Sequence, residues 1–267
     1  KVGPRFIPKI LGNIAAANIA IDYDIQGPSF TVSTACSSGG DAINTACMCM
    51  QSGKADIMLA VGAESVLCPL VIYSLANAKA LSRRNDSPST ASRPFDVTRD
   101  GFVIGEGGGA LVLETEEHAL ARGAKIYAEI RGCGNTDDAY HVTAPHPEGR
   151  GAIACMKQAI AEAGINPSDI GYINAHGTAT NKGDTVETSS IKKVFGNTLP
   201  YVSSTKGATG HMMGAGGITE TITCVKAIET GTVPPTINLN EVDPECAGID
   251  FVANTAKKAE INFAMSN

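Results

Sequence analysis

Residues 171–195 read GYINAHGTATNKGDTVETSSIKKVF. The apolar run 172–175 predicts a buried strand, and the polar and apolar residues of 184–195 recur at the spacing of an amphipathic helix. The turn between them carries one histidine, two threonines and a glycine. In α/β folds, ligand-binding residues collect at the carboxyl ends of parallel strands. The stretch therefore predicts a strand–turn–helix unit whose turn faces a ligand.

The same alternation of strands and helices continues along the chain in both directions, which predicts an α/β fold with parallel sheets covered by helices on both faces. The two series divide near residue 123, so we predict two related halves, 1–123 and 124–267, although no sequence repeat marks them. Further strands are predicted at 30–35, 56–61, 110–113, 125–131, 201–204, 250–253 and 262–265, and further helices at 41–51, 116–122, 151–163 and 218–230.

Composition limits the classes of function. A chain of 267 residues with 43% hydrophobic and 18% charged residues is typical of an ordered globular protein. The net charge of -6 and the lack of a basic stripe argue against nucleic-acid binding. No apolar run reaches the ~20 residues that span a bilayer, and the N-terminus lacks a signal-peptide core. The eight cysteines lie mostly in apolar patterns without a CxxC pair, which predicts reduced thiols in an intracellular protein.

Cys36 stands between a predicted strand and a predicted helix, in the turn TACSSGG at 34–40. A thiol at a helix N-terminus lies near the positive end of the helix dipole, so we expect the thiolate to be favoured. Small neighbours leave room for a substrate carbonyl, and the Cys36 amide could donate to its oxygen. The alternative is a buried structural cysteine, and position alone does not decide between the two.

Two histidines also follow predicted strands. His176 lies in NAHGTAT, and His211 ends SSTKGATGH, five residues after Lys206. A lone histidine at a strand end is more often a core residue than a catalyst. A phosphate-loop reading fails because GxxxxGK[ST] is absent, and the GxGxxA match at 105–110 precedes a strand rather than a helix.

Metal binding has weak support in the sequence. Two histidines, His141 and His146, share a loop with Asp137 and Asp138, but their spacing fits no zinc pattern, and His118 lies in a charged helix where we expect it to be solvated. We therefore predict no metal site.

One cysteine and two histidines, each after a strand, with a lysine before the second histidine, resemble the β-ketoacyl-acyl carrier protein synthases, and most nearly the type II elongation enzyme. The motifs are TACSSG around Cys36, NAHGTAT around His176 and SSTKGATGH ending at His211. Further agreement at 90–114, 137–152 and 234–239 extends the resemblance over essentially the whole chain. It implies a thiolase-like fold of five αβαβα layers in two similar halves. The N-terminal half is expected to be incomplete, because family members begin upstream of residue 1. Family members also continue past residue 267.

The resemblance also implies a decarboxylative Claisen condensation. Cys36 would accept the acyl chain as a thioester. His176 and His211 would hold the carbonyl oxygen of the malonyl group while it loses carbon dioxide, and the resulting enolate would attack the thioester. Lys206 would tune the histidines, and Glu220 would support that lysine. Further substrate-binding residues implied by the family are Thr178 and Thr180 along the phosphopantetheine channel, Phe102 beside the acyl pocket, and Thr143.

Partners and setting follow from the same resemblance. Acyl carrier proteins are acidic, so a local basic patch should receive them despite the net charge. The family is homodimeric, which would place 11–21 and 30–34 at the interface or in the core. No cofactor is expected, because decarboxylation drives bond formation, and the setting is the cytoplasm, or the plastid stroma in a plant. The candidate carrier-protein contacts are Lys1, Lys79, Arg83 and Arg84.

Four alternatives remain open. A polyketide ketosynthase would carry the same cysteine and histidines. A thiolase has a related fold but lacks the Lys206 motif, and a non-catalytic partner subunit typically lacks the reactive cysteine. A cysteine hydrolase would need an orienting asparagine or aspartate that the sequence does not reveal.

Overall fold

The computed structural model describes residues 3–4 and 6–267. In the N-terminal half, strands β1 (Ile57–Glu64) and β2 (Gly107–Glu114) pair antiparallel, from Ile57 opposite Glu114 to Glu64 opposite Gly107. Helix α3 (Ser38–Gln51) packs on β1. This half therefore holds a two-stranded ribbon, and the helix that follows Cys36 packs on one face of it.

The C-terminal half is built on a four-stranded parallel sheet with the order β6-β4-β3-β8. Parallel strands need long crossover connections, which are usually helical. Here helices connect β3 to β4 and β4 to β6 and cover opposite faces of the sheet, whereas the connection from β6 to β8 contains no helix. One face buries a core around Met156, Ile173, Ile191 and Val202, and the other buries Tyr172 with its neighbours. The four strands are β3 (Ile170–Asn174), β4 (Tyr201–Ser203), β6 (Asp250–Phe251) and β8 (Phe263–Ser266).

The remaining elements connect and cover these sheets. Helices are α1 (Phe6–Ile10), α2 (Ile14–Asp22), α4 (Pro69–Asn77), α5 (Glu116–Ala121), α6 (Arg150–Ala163), α7 (Asn181–Phe195), α8 (Lys206–Thr209) and α9 (Gly216–Thr230). Short strands β5 (Thr232–Val233) and β7 (Lys257–Lys258) pair antiparallel, and 3₁₀ turns lie at Ala35–Ser37, Pro88–Thr90, Pro167–Asp169, Met213–Ala215 and Pro244–Cys246.

Helices α3 and α9 join the two halves at a crossing made of glycine. A Cβ atom added to Gly39 would lie 2.7 Å from the Ile218 amide nitrogen, and one added to Gly217 would lie 2.4 Å from the Gly40 amide nitrogen. Neither distance leaves room for a side chain. The helix that follows Cys36 is therefore in main-chain contact with the helix that follows His211.

Two predicted strands are wrong. The stretch 30–35 is irregular in the structure and pairs with no strand among the described residues, and Phe30 is 48% exposed. The stretch 125–131 also pairs with no described strand, and residues 128–134 line a cavity of about 660 Å³ together with residues 262–267. A strand needs a hydrogen-bonded neighbour as well as a suitable sequence.

The segments expected at an interface or in the core are largely exposed. Ile21 is 77% exposed and Leu11 49% exposed, so they do not belong to the core of this chain. Their place at a dimer interface stays a prediction.

Candidate active site

A strained turn presents the Cys36 thiol. The helix predicted at 41–51 begins earlier, at Ser38, and the 3₁₀ turn Ala35–Ser37 precedes it. Ala35 has φ +53°, in the left-handed region that non-glycine residues seldom adopt. The Cys36 Sγ atom lies 3.0 Å from Nε2 of His211, within hydrogen-bonding distance.

The backbone of His211 is held on both sides by the segment before β2. Its amide donates to the Val103 carbonyl at 2.7 Å, and its carbonyl accepts from the Gly105 amide at 2.8 Å. The Phe102 ring meets the imidazole edge to face, with ring centroids 5.3 Å apart. The histidine is therefore fixed by main-chain bonds and by an aromatic contact.

His176 follows β3 and faces His211, with ring centroids 5.2 Å apart and planes at 89°. Glu187 of α7 holds the turn: Oε1 accepts from the His176 amide at 2.7 Å, and Oε2 accepts from the Gly177 amide at 2.7 Å. Asn267 Nδ2 also donates to Oε1 of Glu187 at 2.7 Å. Sequence reasoning missed Glu187; the available signal was a charged residue on the buried face of an amphipathic helix.

Lys206 and Glu220 form a buried ion pair behind the histidines, with exposed fractions of 2% and 5%. A buried charge is costly unless it is paired, so each group depends on the other. The charge on Lys206 lowers the pKa of both histidines, as a second cause after burial.

The two imidazoles are neutral at pH 7. Burial, followed by the charge on Lys206, lowers the pKa of His211 to about 3 and holds the pKa of His176 well below its ordinary value. Burial also raises the pKa of the Cys36 thiol, and outweighs the opposing effect of Lys206. The expectation of a favoured thiolate is therefore wrong, since desolvation of the charged form dominates at this site. The arrangement is a thiol hydrogen-bonded to a neutral imidazole.

The structure brings some of the predicted substrate-binding residues to this centre. Phe102 contacts His211, as described. The Thr178 hydroxyl is buried and lies 3.0 Å from the Thr180 hydroxyl, in the turn that follows His176. Thr143 is exposed in its loop, where its amide donates to His141, and it makes no contact with the centre.

The candidate carrier-protein contacts lie in one exposed segment beside Phe102, except for Lys1, which lies outside the described residues. Lys79 and Arg83 are exposed, whereas Arg84 is half-buried and donates to the Thr98 carbonyl at 2.7 Å. The Ser82 amide donates to the Phe102 carbonyl at 2.9 Å, so this segment approaches the aromatic ring that contacts His211.

The other titratable groups take structural positions. All eight cysteines are free; Cys224 and Cys246 are buried and Cys68 is exposed. His118 pairs with Glu114 on the surface, rather than being simply solvated. In the part of the chain that the structure describes, no group of three or more potential ligands could hold a metal ion. The helices described there also include none long and apolar enough to cross a membrane.

Solved structures of known proteins share the fold of this chain. A solved complex of a type II polyketide synthase acyl-carrier protein with its ketosynthase, bound to the hexaketide, matches with a TM-score of 0.96 and 37% identity, over 99% of this chain and 65% of that chain. The fold prediction is thereby confirmed: the architecture is the thiolase-like α/β fold of ketosynthases.

The models for the N-terminal and C-terminal domains of beta-ketoacyl synthase match residues 1–119 and 127–240. The 3-oxoacyl-[acyl-carrier-protein] synthase 2 of Rhizobium meliloti is 47% identical over the whole chain and 64% of its own length. The mitochondrial 3-oxoacyl-[acyl-carrier-protein] synthase of Arabidopsis thaliana is 46% identical over the whole chain and 59% of its length. The chain belongs to the β-ketoacyl synthase family, and it spans a little under two thirds of these curated relatives.

Proposed function

We propose that this protein catalyses the decarboxylative condensation of an acyl thioester on Cys36 with a malonyl group on acyl carrier protein, giving 3-oxoacyl-acyl carrier protein for fatty acid elongation. The observation that carries the proposal is the convergence of one thiol and two neutral imidazoles, with Cys36 Sγ 3.0 Å from Nε2 of His211 and the two rings 5.2 Å apart. The names of the curated relatives support the same reaction.

The first step is acyl transfer to the thiol. Because the Cys36 pKa is raised and the His211 pKa is lowered to about 3, the proton passes from the thiol to Nε2 of His211 only as the sulfur bonds to the acyl carbon, where the developing positive charge on the thiol makes it more acidic. The sulfur bonds to the acyl carbonyl carbon, and the bond from that carbon to the carrier thiol breaks. The proton on His211 passes to the departing thiolate, which leaves the imidazole neutral.

The second step forms the carbon–carbon bond. Malonyl thioester loses carbon dioxide, and the electron pair of the broken carbon–carbon bond becomes an enolate. Its oxygen accepts hydrogen bonds from an N–H group of His176 and from Nε2–H of His211, which in this step is in the tautomer that carries its proton on Nε2. The enolate carbon bonds to the acyl carbon, the bond to Cys36 Sγ breaks, and the released thiolate takes up one proton from solvent, which restores the thiol. Neutral imidazoles suit this role because they donate a hydrogen bond without protonating the carbanion. No external cofactor is needed, since release of carbon dioxide drives the step.

Acyl carrier protein and a second copy of this chain are the proposed partners. The exposed cations Lys79 and Arg83 lie beside Phe102 and could meet an acidic carrier. Exposed apolar residues such as Ile21 and Tyr23 suit a homodimer interface. The proposed setting is the cytoplasm, or the plastid stroma in a plant; an organellar relative is the mitochondrial enzyme named above.

A polyketide ketosynthase is the second candidate, supported by the likeness to the polyketide ketosynthase complex. Its reacting groups would be identical, so only the acyl substrate distinguishes the two. Competition between saturated acyl and poly-β-ketoacyl thioesters for Cys36 decides between them.

The experiment that tests the proposal separates the two steps. Purified protein is incubated with acyl-carrier and malonyl-carrier substrates, the Cys36 peptide is analysed by mass, and released carbon dioxide is measured. We expect Cys36→Ala to abolish acylation and condensation while decarboxylation continues, since the histidines alone serve that step. The exposed Cys68→Ala variant is the matched control and should behave as wild type. Acylation at Cys68 instead of Cys36, or silence of both steps in wild type, would contradict the proposal.

A further inference from the structure

The turn that presents Cys36 is held by a carboxylate that has no part in the steps above. Asp41 lies in the first turn of α3, five residues after the thiol. Its Oδ2 atom accepts a hydrogen bond from the Thr34 hydroxyl at 2.6 Å and lies 3.0 Å from the Ser37 hydroxyl. Thr34 and Ser37 flank the thiol, so one carboxylate oxygen closes the loop around it.

A strained backbone needs such support. Ala35 occupies the left-handed region, and a non-glycine residue stays there only when its surroundings hold it. The Ser38 hydroxyl accepts from the Thr34 amide at 2.9 Å and donates to the Ala35 carbonyl at 2.6 Å. These bonds tie the turn to the first residue of α3, and the bond to Asp41 ties it to a residue further along the helix.

The other oxygen of Asp41 reaches the C-terminal half. Oδ1 accepts a hydrogen bond from the side-chain Nδ2 of Asn135 at 2.5 Å. The backbone amide of Asn135 donates to Oε1 of Gln158, in α6, at 3.3 Å. The carboxylate therefore bonds on one side to the residues around Cys36 and on the other to the half that carries both histidines. An aspartate in the first turn of a helix also interacts well with the helix dipole, which by itself would be a purely structural role.

We propose that Asp41 is a positioning residue that fixes the strained turn at Ala35 so that the Cys36 thiol meets Nε2 of His211. It makes no hydrogen bond to either side chain, so it acts through Thr34 and Ser37 rather than on the reacting atoms. The inference rests on the proposed function only in taking the Cys36–His211 contact as the reacting pair.

The test measures alkylation of Cys36 by iodoacetamide, followed by mass analysis of its peptide, and so needs no carrier substrate. We expect Asp41→Ala to slow alkylation about fivefold to tenfold, because the thiol loses its imidazole partner. His211→Ala should slow it to a similar degree, and the double variant should be no slower than His211→Ala alone. Asp41→Asn should stay within about twofold of wild type, because its oxygen still accepts from Thr34 and a rotated Asn135 amide can accept from its nitrogen.

Thiols elsewhere in the chain report on folding in the same sample. Exposed Cys68 should react equally in every variant, and Asp86→Ala is a control at an exposed aspartate. Should Asp41→Ala unfold the chain, the buried Cys224 and Cys246 would react as well, and Thr34→Val then decides, with an expected loss of about threefold.

Each outcome has one meaning. Wild-type alkylation in a folded Asp41→Ala or Thr34→Val variant, with slow alkylation in His211→Ala, overturns the positioning role and leaves the proposed function standing. Additive losses in the double variant overturn it too, since the two changes would then act separately. A His211→Ala variant that alkylates as fast as wild type counts instead against the proposed pairing of thiol and imidazole.

Discussion

Replacing Glu220 by alanine leaves the ammonium group of Lys206 buried without its partner. Lys206 is 2% exposed and Glu220 5% exposed, so water cannot replace the lost carboxylate. Removing one member of such a pair costs about 3–5 kcal/mol, mainly through the uncompensated charge. Since each kcal/mol lowers the melting temperature of a domain of this size by about 2–4 °C, we expect a fall of roughly 6–20 °C.

Removing both charges should be less harmful than removing one. The double variant Lys206→Met/Glu220→Leu leaves no charge buried, so we expect it to lose only about 1–2 kcal/mol relative to wild type. Urea unfolding followed by circular dichroism compares wild type with Glu220→Ala, with the matched single variants Lys206→Met and Glu220→Leu, and with the double variant. The exposed partner Glu229 of Lys125 supplies the control, and Glu229→Ala should barely move the denaturation midpoint.

Two results would refute this reasoning. Single variants as stable as wild type would show that the pair carries little of the stability. A double variant that loses the sum of the two single losses would show that the charges do not depend on each other. A separate readout is the pKa of the histidines. Burial, the larger cause of the lowered pKa, remains in Lys206→Met, but the charge of Lys206 is gone, so the pKa should rise part of the way toward the ordinary value.

Three further results follow from the site. The pKa of His211 is lowered to about 3, so the unfolded chain binds a proton near pH 6.5 that the folded chain does not bind. The free energy of unfolding should therefore fall as pH drops from 6.5 toward 3, and less steeply in His211→Ala. Urea unfolding at pH 7, 5.5 and 4 measures the two slopes, and equal slopes would contradict this prediction. Glu187→Ala leaves two buried backbone amides without an acceptor and should lower the free energy of unfolding by about 2–5 kcal/mol in the same assay. Glu187→Gln keeps one acceptor and should lose less stability; equal losses would be evidence against the two-amide role. Gly39→Ala should slow alkylation of Cys36, because the added methyl group forces α3 away from α9. Gly40→Ala is the control, since a Cβ atom there meets nothing within 4 Å and should leave the rate unchanged. Similar rates in both variants would argue against main-chain contact between α3 and α9.

Local sequence signals were sufficient for the elements at the core. The strand predicted at 172–175 appears at Ile170–Asn174, and the helix predicted at 218–230 appears at Gly216–Thr230. The strand is a continuous apolar run buried on both faces, and the helix carries apolar residues at the helical period, so the pattern and the burial agree in both. The boundaries moved by one or two residues because helix and strand ends are fixed by caps and pairing rather than by hydrophobicity.

The hydrophobic pattern of the sequence did not predict which strands pair or how deeply the site residues are buried. The stretch 125–131 has the composition of a strand, yet a strand is defined by its hydrogen-bonded neighbour, and no described strand pairs with this stretch. The thiolate expected at Cys36 failed for a similar reason. A position near a helix N-terminus can be read from sequence, but the degree of desolvation that raises the pKa depends on the folded surroundings.

Long-range polar contacts formed the remaining gap. Glu187 holds the main chain at His176, and Asp41 bonds to Asn135, ninety-four residues away. Neither lies in a motif that contains the reacting residues. Such carboxylates are visible only once the helices are placed, because their acceptor role depends on which amides and hydroxyls the fold brings to them.

Because α3 and α9 cross through main-chain contact, the spacing of these helices is independent of the side chains around the site. Where helices meet through side chains, exchanging a leucine for a valine shifts the axes and moves whatever the helices carry. At Gly39 and Gly217 no side chain is present to exchange, so the spacing of the two helices is set by main-chain contact. We therefore expect side chains elsewhere around the site to vary without changing the distance between α3 and α9.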